Sequence, residues 1–486
     1  MQWQRCAVFI VGLSVCFGNG YAAPRGQAAA TDRNTHKSAA GDVLLDGSDW
    51  RMGSFDFDAG VAAGADGVKF DDGAFQAVTV PGDTQLQAGF TGVAGFRESK
   101  GLMAVNGREW WYRKHFLAPA EVPGMLSRIV FDGSDYFTTV WLNGHLLGTH
   151  EGTYVGFSFD VTRLLNYGGD NVLSVLVTHP WAPKDRAVDE YMDGDFSMAL
   201  GTPLTNLPYH IGINWDGLPD QGNAAIPMGI WRSVHLRRVG KVTIDDVHVV
   251  TRSIEKDGSA LLHIEATVGN ATGEAQSRKI ELALTPDNFA GSNQEIPALT
   301  VRAVPGETTA EVDVRVPNAK LWWSWDKGPQ NLYDLKAGFD SEAGLPGDER
   351  TVRFGIRTVT RDADMAYHVN GQKLFIKASW FPIENFYRST PTHEDYERDL
   401  RLFRDGNFNL LVNFTVVEKP EFYDLCDELG ILVVAEMPFP QFGPQHVLDK
   451  DSPRREPFLK EARLEVAQII TAERNHPSII QYSPLA

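Results

Sequence analysis

The chain changes its pattern of hydrophobic residues once, close to Phe354, and this change decides which folds are open to it. Before Phe354, short runs rich in β-branched and aromatic residues are separated by Gly, Asn, Asp and Pro. After it, apolar runs of strand length alternate with longer runs of helical periodicity. The later pattern predicts a parallel sheet with helical crossovers, and the earlier one predicts antiparallel β-sandwiches.

Two β-rich blocks precede this change. In residues 43–239 the dipeptide Asn143-Gly144 is a strong hairpin signal, because both residues tolerate positive φ. We interpret this block as a β-sandwich of jelly-roll size. Residues 240–352 contain evenly spaced runs in which apolar and polar residues alternate. They predict an immunoglobulin-like sandwich without a disulfide.

The last block, residues 353–486, predicts four strands joined by helices. A helix is expected to begin at Thr392, where Thr392 and Asp395 form a capping box with an acid in place of the usual Glu. A second helix is expected from Pro420 to a stop at Gly430. The predicted strands are residues 374–379, 408–414, 431–437 and 479–483, and a third helix covers 457–474.

The N-terminus has the order of residues found in secretory signal peptides. Within residues 1–22, Arg5 is followed by an apolar run too short to span a bilayer and then by small residues. We expect cleavage after Ala22 and a periplasmic or secreted mature protein. A lipoprotein anchor at Cys16 is the weaker alternative. Residues 23–42 lack large apolar side chains and predict a flexible leader.

Net charge restricts the class of partner. Acidic residues exceed basic ones by 63 to 45, a formal charge of −18, which argues against nucleic acid or an anionic membrane as the main partner. We expect a neutral or small partner, no membrane span, no cofactor and no metal, and the oligomeric state stays open. After signal removal Cys426 is the only cysteine, so no internal disulfide is expected.

Three motifs occur in order along the chain: residues 229–232 (GIWR), 353–359 (RFGIRTV) and 474–480 (RNHPSII). In this order and spacing the chain resembles glycoside hydrolase family 2, the family of β-galactosidases, β-glucuronidases and β-mannosidases. The resemblance covers residues 43–483. It implies a jelly-roll sugar-binding domain, an immunoglobulin-like domain and the first half of a (β/α)8 TIM barrel in residues 353–486.

Two further segments are similar to the β-mannosidase and exo-glucosaminidase side of the family. Residues 378–386 resemble the β-mannosidase stretch after the first barrel strand, with Ser379 and Glu384 as substitutions, and residues 418–427 match the same group. The resemblance implies a retaining exo-β-glycosidase that acts on an oligosaccharide or glycoside. The segment around Glu436 is also common in β-galactosidases, so β-galactosidase, β-glucuronidase and exo-β-glucosaminidase specificities remain alternatives.

Four residues are candidates for substrate binding. Trp215 and Asp216 resemble the pair by which the first domain of β-mannosidases reaches over the barrel mouth, where a carboxylate binds sugar hydroxyls and an indole stacks on the ring. A turn with a buried indole is the alternative. Trp380 belongs to the segment after the first barrel strand. Glu436 is predicted at the end of the third strand, where barrels place their sites, or else it pairs with an arginine. We expect His476, which precedes the fourth strand, to have a structural role rather than a catalytic one.

The resemblance implies that neither catalytic carboxylate is in this chain. In the family the acid/base Glu follows the fourth barrel strand and the nucleophile lies near the seventh, and a retaining enzyme needs the two about 5 Å apart. Both would lie beyond Ala486, so we expect the chain to be a fragment of a longer enzyme. Val412 also stands where the subgroup usually has an arginine in the sugar subsite. A non-catalytic carbohydrate-binding or degenerate member is the alternative.

Overall fold

Antiparallel strands fill the first two thirds of the chain, and parallel strands with helices follow. The computed structural model describes residues 35–38, 42–89, 105, 107–178, 228–341, 347–380, 389–413, 416–438 and 455–483. Within these ranges, no helix has both the length and the hydrophobicity needed to cross a lipid bilayer.

The first domain is a sandwich of two antiparallel sheets. Its strands are β2 (Asp42–Leu44), β3 (Gly47–Phe55), β4 (Gln76–Val80), β5 (Glu109–Leu117), β6 (Leu126–Phe131), β7 (Phe137–Leu142), β8 (His145–Glu151), β9 (Phe157–Asp160), β10 (Asp170–Thr178) and β11 (Val234–Val239), with short helices α1 (Ala59–Ala62) and α2 (Thr84–Gln87). One sheet has the order β4-β3-β5-β10-β7-β8 and the other β2-β11-β6-β9. Apolar side chains of both sheets form one core, with Trp50, Tyr112 and Phe131 fully buried. This confirms the jelly-roll prediction.

The predicted hairpin at Asn143-Gly144 is confirmed. Asn143 has φ of 52° and Gly144 has φ of 80°, and they connect β7 to β8, which pair antiparallel. Both turn positions therefore take the left-handed conformation that Asn and Gly adopt at low cost.

The second domain is also a two-sheet sandwich. Its strands are β12 (Val242–Ile254), β13 (Ala260–Asn270), β14 (Gln276–Pro286), β15 (Gln294–Glu295), β16 (Leu299–Ala303), β17 (Gly306–Val316), β18 (Tyr333–Phe339) and β19 (Asp348–Phe354). One sheet is β12-β13-β17, and the other contains β19-β18-β14-β15 with β16 also paired to β14. Every second residue of β13 enters the core, including Leu262, Ile264 and Val268. This confirms the immunoglobulin-like prediction.

One part of the predicted flexible leader forms a strand instead. Residues Thr35–Ser38 make β1, which pairs antiparallel with β19 through the register Thr35 to Thr351 and Ser38 to Asp348. The expectation for residues 23–42 therefore fails for these four residues and for Asp42, the first residue of β2. The outer edge of β19 offers unpaired backbone groups, and an extended segment can satisfy them without apolar side chains.

The third region begins with a small sheet, β20 (Val359–Arg361), β21 (Tyr367–Val369) and β22 (Gln372–Lys373), and continues as half of a barrel. Strands β23 (Ala378–Trp380), β24 (Leu410–Asn413), β25 (Leu432–Glu436) and β26 (Ile479–Ser483) pair parallel in chain order. Helices α3 (His393–Asp405), α4 (Pro420–Leu429) and α5 (Arg455–Glu473) lie between them along the chain. Residues 374–377, predicted as part of the first strand, are not strand in the structure.

The helix boundaries follow the signals in the sequence. Thr392 accepts a hydrogen bond from the Asp395 backbone N–H, and the Asp395 carboxylate accepts one from Thr392 in return, so the capping box is confirmed. Helix α4 ends at Gly430, which has φ of 71°. Cys426 on this helix is fully buried, and burial raises the pKa of its thiol well above the ordinary value.

Candidate active site

The carboxyl ends of the four parallel strands form one edge of the half barrel. Their last residues are Trp380, Asn413, Glu436 and Ser483, and Glu436 lies opposite Ser483 in the register. Barrel enzymes place their sites at this edge. The structure therefore brings Trp380 and Glu436 to one edge, two strands apart, whereas Trp215 and Asp216 lie outside the described residues.

Trp380 and Glu436 differ in exposure at this edge. The Trp380 side chain is 59% exposed, whereas Glu436 is only 9% exposed. An exposed indole presents an apolar face of the kind that stacks on a sugar ring. A buried carboxylate is held in a restricted orientation and is a strong acceptor for hydroxyl groups. The pair offers one stacking surface and one hydrogen-bonding group, which is the composition of a sugar subsite.

The loop that follows β24 is held by two buried tyrosines. The Tyr396 hydroxyl donates to Glu418 Oε2 at 2.8 Å, and Tyr423 Oη accepts from the Glu418 backbone N–H at 3.3 Å and from Asn413 Nδ2 at 3.1 Å. Burial raises the pKa of Tyr396 and Tyr423 well above the ordinary value. Both hydroxyls therefore stay protonated and keep Glu418 and Asn413 in place beside the barrel mouth.

The first domain contacts the barrel mouth through Asp83, just before α2. Asp83 Oδ2 accepts hydrogen bonds from the Ser389 backbone N–H, at 3.0 Å, and from the Ser389 hydroxyl. Lys419 Nζ donates to the Ser389 carbonyl at 3.0 Å and to the Pro391 carbonyl at 2.7 Å. Burial lowers the pKa of Lys419, and neighbouring carboxylates, Asp83 among them, oppose this effect. The sequence does not single out Asp83, because its partners are about three hundred residues away along the chain.

A second contact between the first domain and the barrel is made at Met437, the residue after Glu436. Residues 154–155 and Trp231 form one buried cluster with Met437 and with Ile469 of α5. Met437 is the residue after Glu436, so this packing supports the backbone that carries the carboxylate. Trp231 of the motif at 229–232 thus contributes packing against the barrel.

Glycine is required at the start of this motif. Gly229 has φ of +136°, and a Cβ there would lie 2.7 Å from the Gly82 carbonyl oxygen. This φ lies in a region that residues with a side chain rarely adopt. The Gly82 backbone N–H also donates to the Ile230 carbonyl at 2.8 Å, so Asp83 and Trp231 belong to adjacent backbone segments.

The motif at 353–359 joins the second domain to the barrel. The buried Arg353 guanidinium donates to Asp424 Oδ1 at 2.8 Å and to Glu428 Oε1 at 2.7 Å, both on α4. Arg357 donates to the carbonyl oxygens of Pro477 and Ile479, each at 2.7 Å. Arg353 therefore binds helix α4, and Arg357 binds the start of β26 and the residues just before it. Together these contacts fix the half barrel against the second domain.

The motif at 474–480 completes this joint. His476 Nδ1 lies 2.6 Å from Asp427 Oδ2, and the Ser478 backbone N–H donates to Asp427 Oδ1 at 3.0 Å. Burial would lower the pKa of His476, but Asp427 raises it to about 9. Asn475 accepts from the Val249 backbone N–H at 3.0 Å. These contacts are structural, in agreement with the expectation for His476.

The same joint contains three groups of the types that bind metals. Asp424, Asp427 and His476 lie close enough to share an ion. Their ligand atoms already have partners, however, since Arg353 binds Asp424, and Asp427 is bound by His476 and by a backbone N–H. The arrangement is that of a buried ion-pair network, which must satisfy its charges internally.

Comparisons with known families agree with this architecture. Residues 71–232 match the description "Glycosyl hydrolase 2 galactose-binding domain-like", residues 242–357 match "Glycosyl hydrolases family 2", and residues 389–484 match "Glycosyl hydrolases family 2, TIM barrel domain". Together these three segments cover more than half of the chain.

Two of the relatives are named as mannosidases. The chain is 28% identical over 407 residues to β-mannosidase B of Aspergillus terreus, covering 80% of this chain and 44% of that protein. It is 27% identical over 348 residues to a mannosylglycoprotein endo-β-mannosidase of Lilium longiflorum, covering 68% and 35%. The chain thus spans less than half the length of these relatives. A crystal structure of a β-D-mannosidase from Dictyoglomus thermophilum shares the fold, with a TM-score of 0.71 at 24% identity over 91% of this chain and 52% of that one.

Proposed function

The chain belongs to glycoside hydrolase family 2, and we propose that it builds part of the substrate site of an exo-β-glycosidase of β-mannosidase type. The observation that carries the proposal is the placement of Trp380 and Glu436 at one barrel edge, with the first domain packed against Met437, the residue after Glu436. The mannosidase assignment within the family is supported by residues 378–386 and 418–427 and by the named relatives.

The geometry supports roles in binding and orientation. A sugar at the strand ends would stack on Trp380, and its hydroxyl groups would donate to the carboxylate of Glu436. Glu436 ends the third strand, whereas the glutamates that cleave the bond in this family follow the fourth strand and lie near the seventh. We therefore assign Glu436 to substrate binding, where it would hold the ring in the geometry that a retaining displacement needs.

The contacts made by Asp83 give the first domain a part in the same site. Its carboxylate binds the backbone N–H and hydroxyl of Ser389, and Ser389 is linked in turn to Lys419 beside the mouth. This network fixes residues 389–391, just before α3, at one wall of the site. The first domain would limit how much of a glycan can enter, which suits removal of a terminal sugar.

Export is part of the proposal. The order of residues in 1–22 is typical of a signal peptide, and a periplasmic or secreted location would give the enzyme access to extracellular glycans. Determining the N-terminal sequence of the protein recovered from its native host tests this directly. We expect the mature protein to begin at Ala23, and an N-terminus at Met1 would contradict export by this route.

The activity is tested with the protein encoded by the complete gene. We expect it to hydrolyse an aryl β-D-mannoside with retention of configuration, followed by NMR of the released sugar. Glu436→Gln should lower kcat/KM by about 10- to 100-fold, because one hydrogen bond to a charged group contributes about 1.5–3 kcal/mol. Asp405→Asn is the matched control, since this exposed carboxylate ends α3 at the opposite end of the barrel. Equal activity in the two variants would contradict the role of Glu436.

A further inference from the structure

We propose that the outer face of the second domain carries a zinc site formed by His263, Glu265 and Glu311. The three residues lie on the central and edge strands of the sheet β12-β13-β17. They take no part in the barrel mouth or in the joints between domains described above. The proposal is therefore independent of the proposed glycosidase activity.

The strand register brings the residues together. Glu265 on β13 lies opposite Glu311 on β17 and opposite His248 on β12, and His263 lies opposite Asp313. Because successive side chains on a strand point to opposite faces, these side chains share the face that does not enter the core. The result is a compact group of two imidazoles and three carboxylates.

The distances between potential ligand atoms suit a tetrahedral ion. His263 Nε2 lies 3.5 Å from Glu265 Oε1 and 3.8 Å from Glu311 Oε2. Zinc binds nitrogen and oxygen at about 2.0–2.2 Å, so two ligands of a tetrahedral ion lie roughly 3.3–3.6 Å apart. All three ligand atoms lie within 4.8 Å of one another, so rotation of the two glutamate side chains would bring them into a coordination sphere. Glu311 is 58% exposed, which leaves room for water as the fourth ligand.

A second observation concerns the other ring nitrogen of His263. Its Nδ1 lies 2.7 Å from Asp313 Oδ1, the distance of a hydrogen bond from a protonated ring nitrogen to a carboxylate. In the tautomer that is protonated at Nδ1, the unprotonated Nε2 is the atom available to coordinate an ion. The arrangement is that of a carboxylate–histidine–metal unit, in which a second carboxylate sets the tautomer and orientation of the ligand. His263 is only 8% exposed, so its ring is held in this orientation.

Charge and donor type point to the kind of ion. Three carboxylates, those of Glu265, Glu311 and Asp313, lie around His263. His248 Nδ1 lies 3.1 Å from Glu265 Oε2, and a divalent cation would offset the repulsion that remains between the three carboxylates. Magnesium and calcium prefer sites made only of oxygen, whereas imidazole with carboxylate suits zinc.

The sequence predicts no metal because the ligands are separated by 46 residues along the chain, from Glu265 to Glu311. The available signal is His-x-Glu on β13 and Glu-x-Asp on β17, each with the period of a strand.

Zinc binding is measured by calorimetric titration of the untagged full chain after treatment with a chelator. We expect one zinc ion per chain, and we expect Glu265→Gln and Glu311→Gln to weaken binding at least tenfold. Asp313→Asn should weaken it about 10- to 100-fold through the orientation of His263. Glu307→Gln is the matched control, because Glu307 is an exposed carboxylate on the same strand and face and should leave binding unchanged.

Folding is checked separately from binding. Circular dichroism in zinc-free buffer should give the same spectrum for every variant, and zinc should raise the Tm of the unaltered chain and of Glu307→Gln only. Absence of stoichiometric zinc binding would overturn the proposal. Equal zinc affinity in Glu265→Gln, Glu311→Gln and the unaltered chain would also overturn it.

Discussion

The ion pair of His476 and Asp427 should make the joint between the second domain and the barrel sensitive to alkaline pH. The pKa of His476 is about 9 in the folded protein, against an ordinary value of 6.5. A raised pKa means that the pair contributes its full stability below about pH 6.5 and loses it as the pH rises through about 9. At 1.36 kcal/mol per pH unit, the difference corresponds to roughly 3 kcal/mol.

A second buried group, Glu473, also lowers the stability of the folded protein as the pH rises. Burial raises the pKa of Glu473 to about 7 from its ordinary 4.5, although His476 partly opposes the effect. The proton on Glu473 is therefore held more tightly in the folded state, and stability falls as the pH rises from about 4.5 to 7. Because most of this loss has occurred by pH 7, the decline from pH 7 to pH 9 reports mainly on His476.

Hydrogen exchange with mass spectrometry measures the effect locally, in peptides that cover α4 and residues 475–483. In the unaltered chain the free energy of opening should fall by about 3 kcal/mol between pH 6.5 and 9.5. His476→Gln and Asp427→Asn should each remove this decline, whereas His145→Gln, at an exposed histidine on β8, should keep it. If His476→Gln and Asp427→Asn showed the same decline as the unaltered chain, the ion pair would not be its source.

Three further outcomes are expected. Gly152→Ala should destabilise the chain by about 1–3 kcal/mol in thermal unfolding, because Gly152 has φ of +129° and a Cβ there would collide with Glu465. Gly64 also has a positive φ, but a Cβ there would meet no atom within 4 Å. If Gly64→Ala lost as much stability as Gly152→Ala, the clash with Glu465 would not be the cause. Asp83→Asn should lower kcat/KM of the complete gene product for an aryl β-mannoside about tenfold, the range of a hydrogen bond to a charged group, and unchanged kinetics would exclude Asp83 from supporting the site. Cys426 should react with a thiol reagent only after denaturation, because burial raises its pKa; fast reaction in the native chain would show that the helix packing is wrong.

Local features of the fold are readable from the sequence because neighbouring residues determine them. The capping box of Thr392 and Asp395, the helix between Pro420 and Gly430 and the alternation along β13 each depend on a few residues in series. The position of Glu436 at a strand end follows from the same reading.

Contacts between distant segments are not readable in this way. β1 pairs with an open strand edge that only the folded second domain provides. The bond from Ser389 to Asp83 and the grouping of His263 with Glu311 likewise depend on how domains dock and how strands register. Nothing in the local sequence distinguishes these residues from other polar residues in loops and strands.

The most direct test of the central claim is the substrate preference of the protein encoded by the complete gene. The kcat/KM values for aryl β-mannoside, β-galactoside, β-glucuronide and β-glucosaminide would be measured side by side. The account predicts that the β-mannoside is hydrolysed with the highest kcat/KM and that Glu436→Gln lowers this value. A higher kcat/KM for any of the other three substrates would contradict the mannosidase assignment, and hydrolysis of none of the four would contradict the glycosidase function.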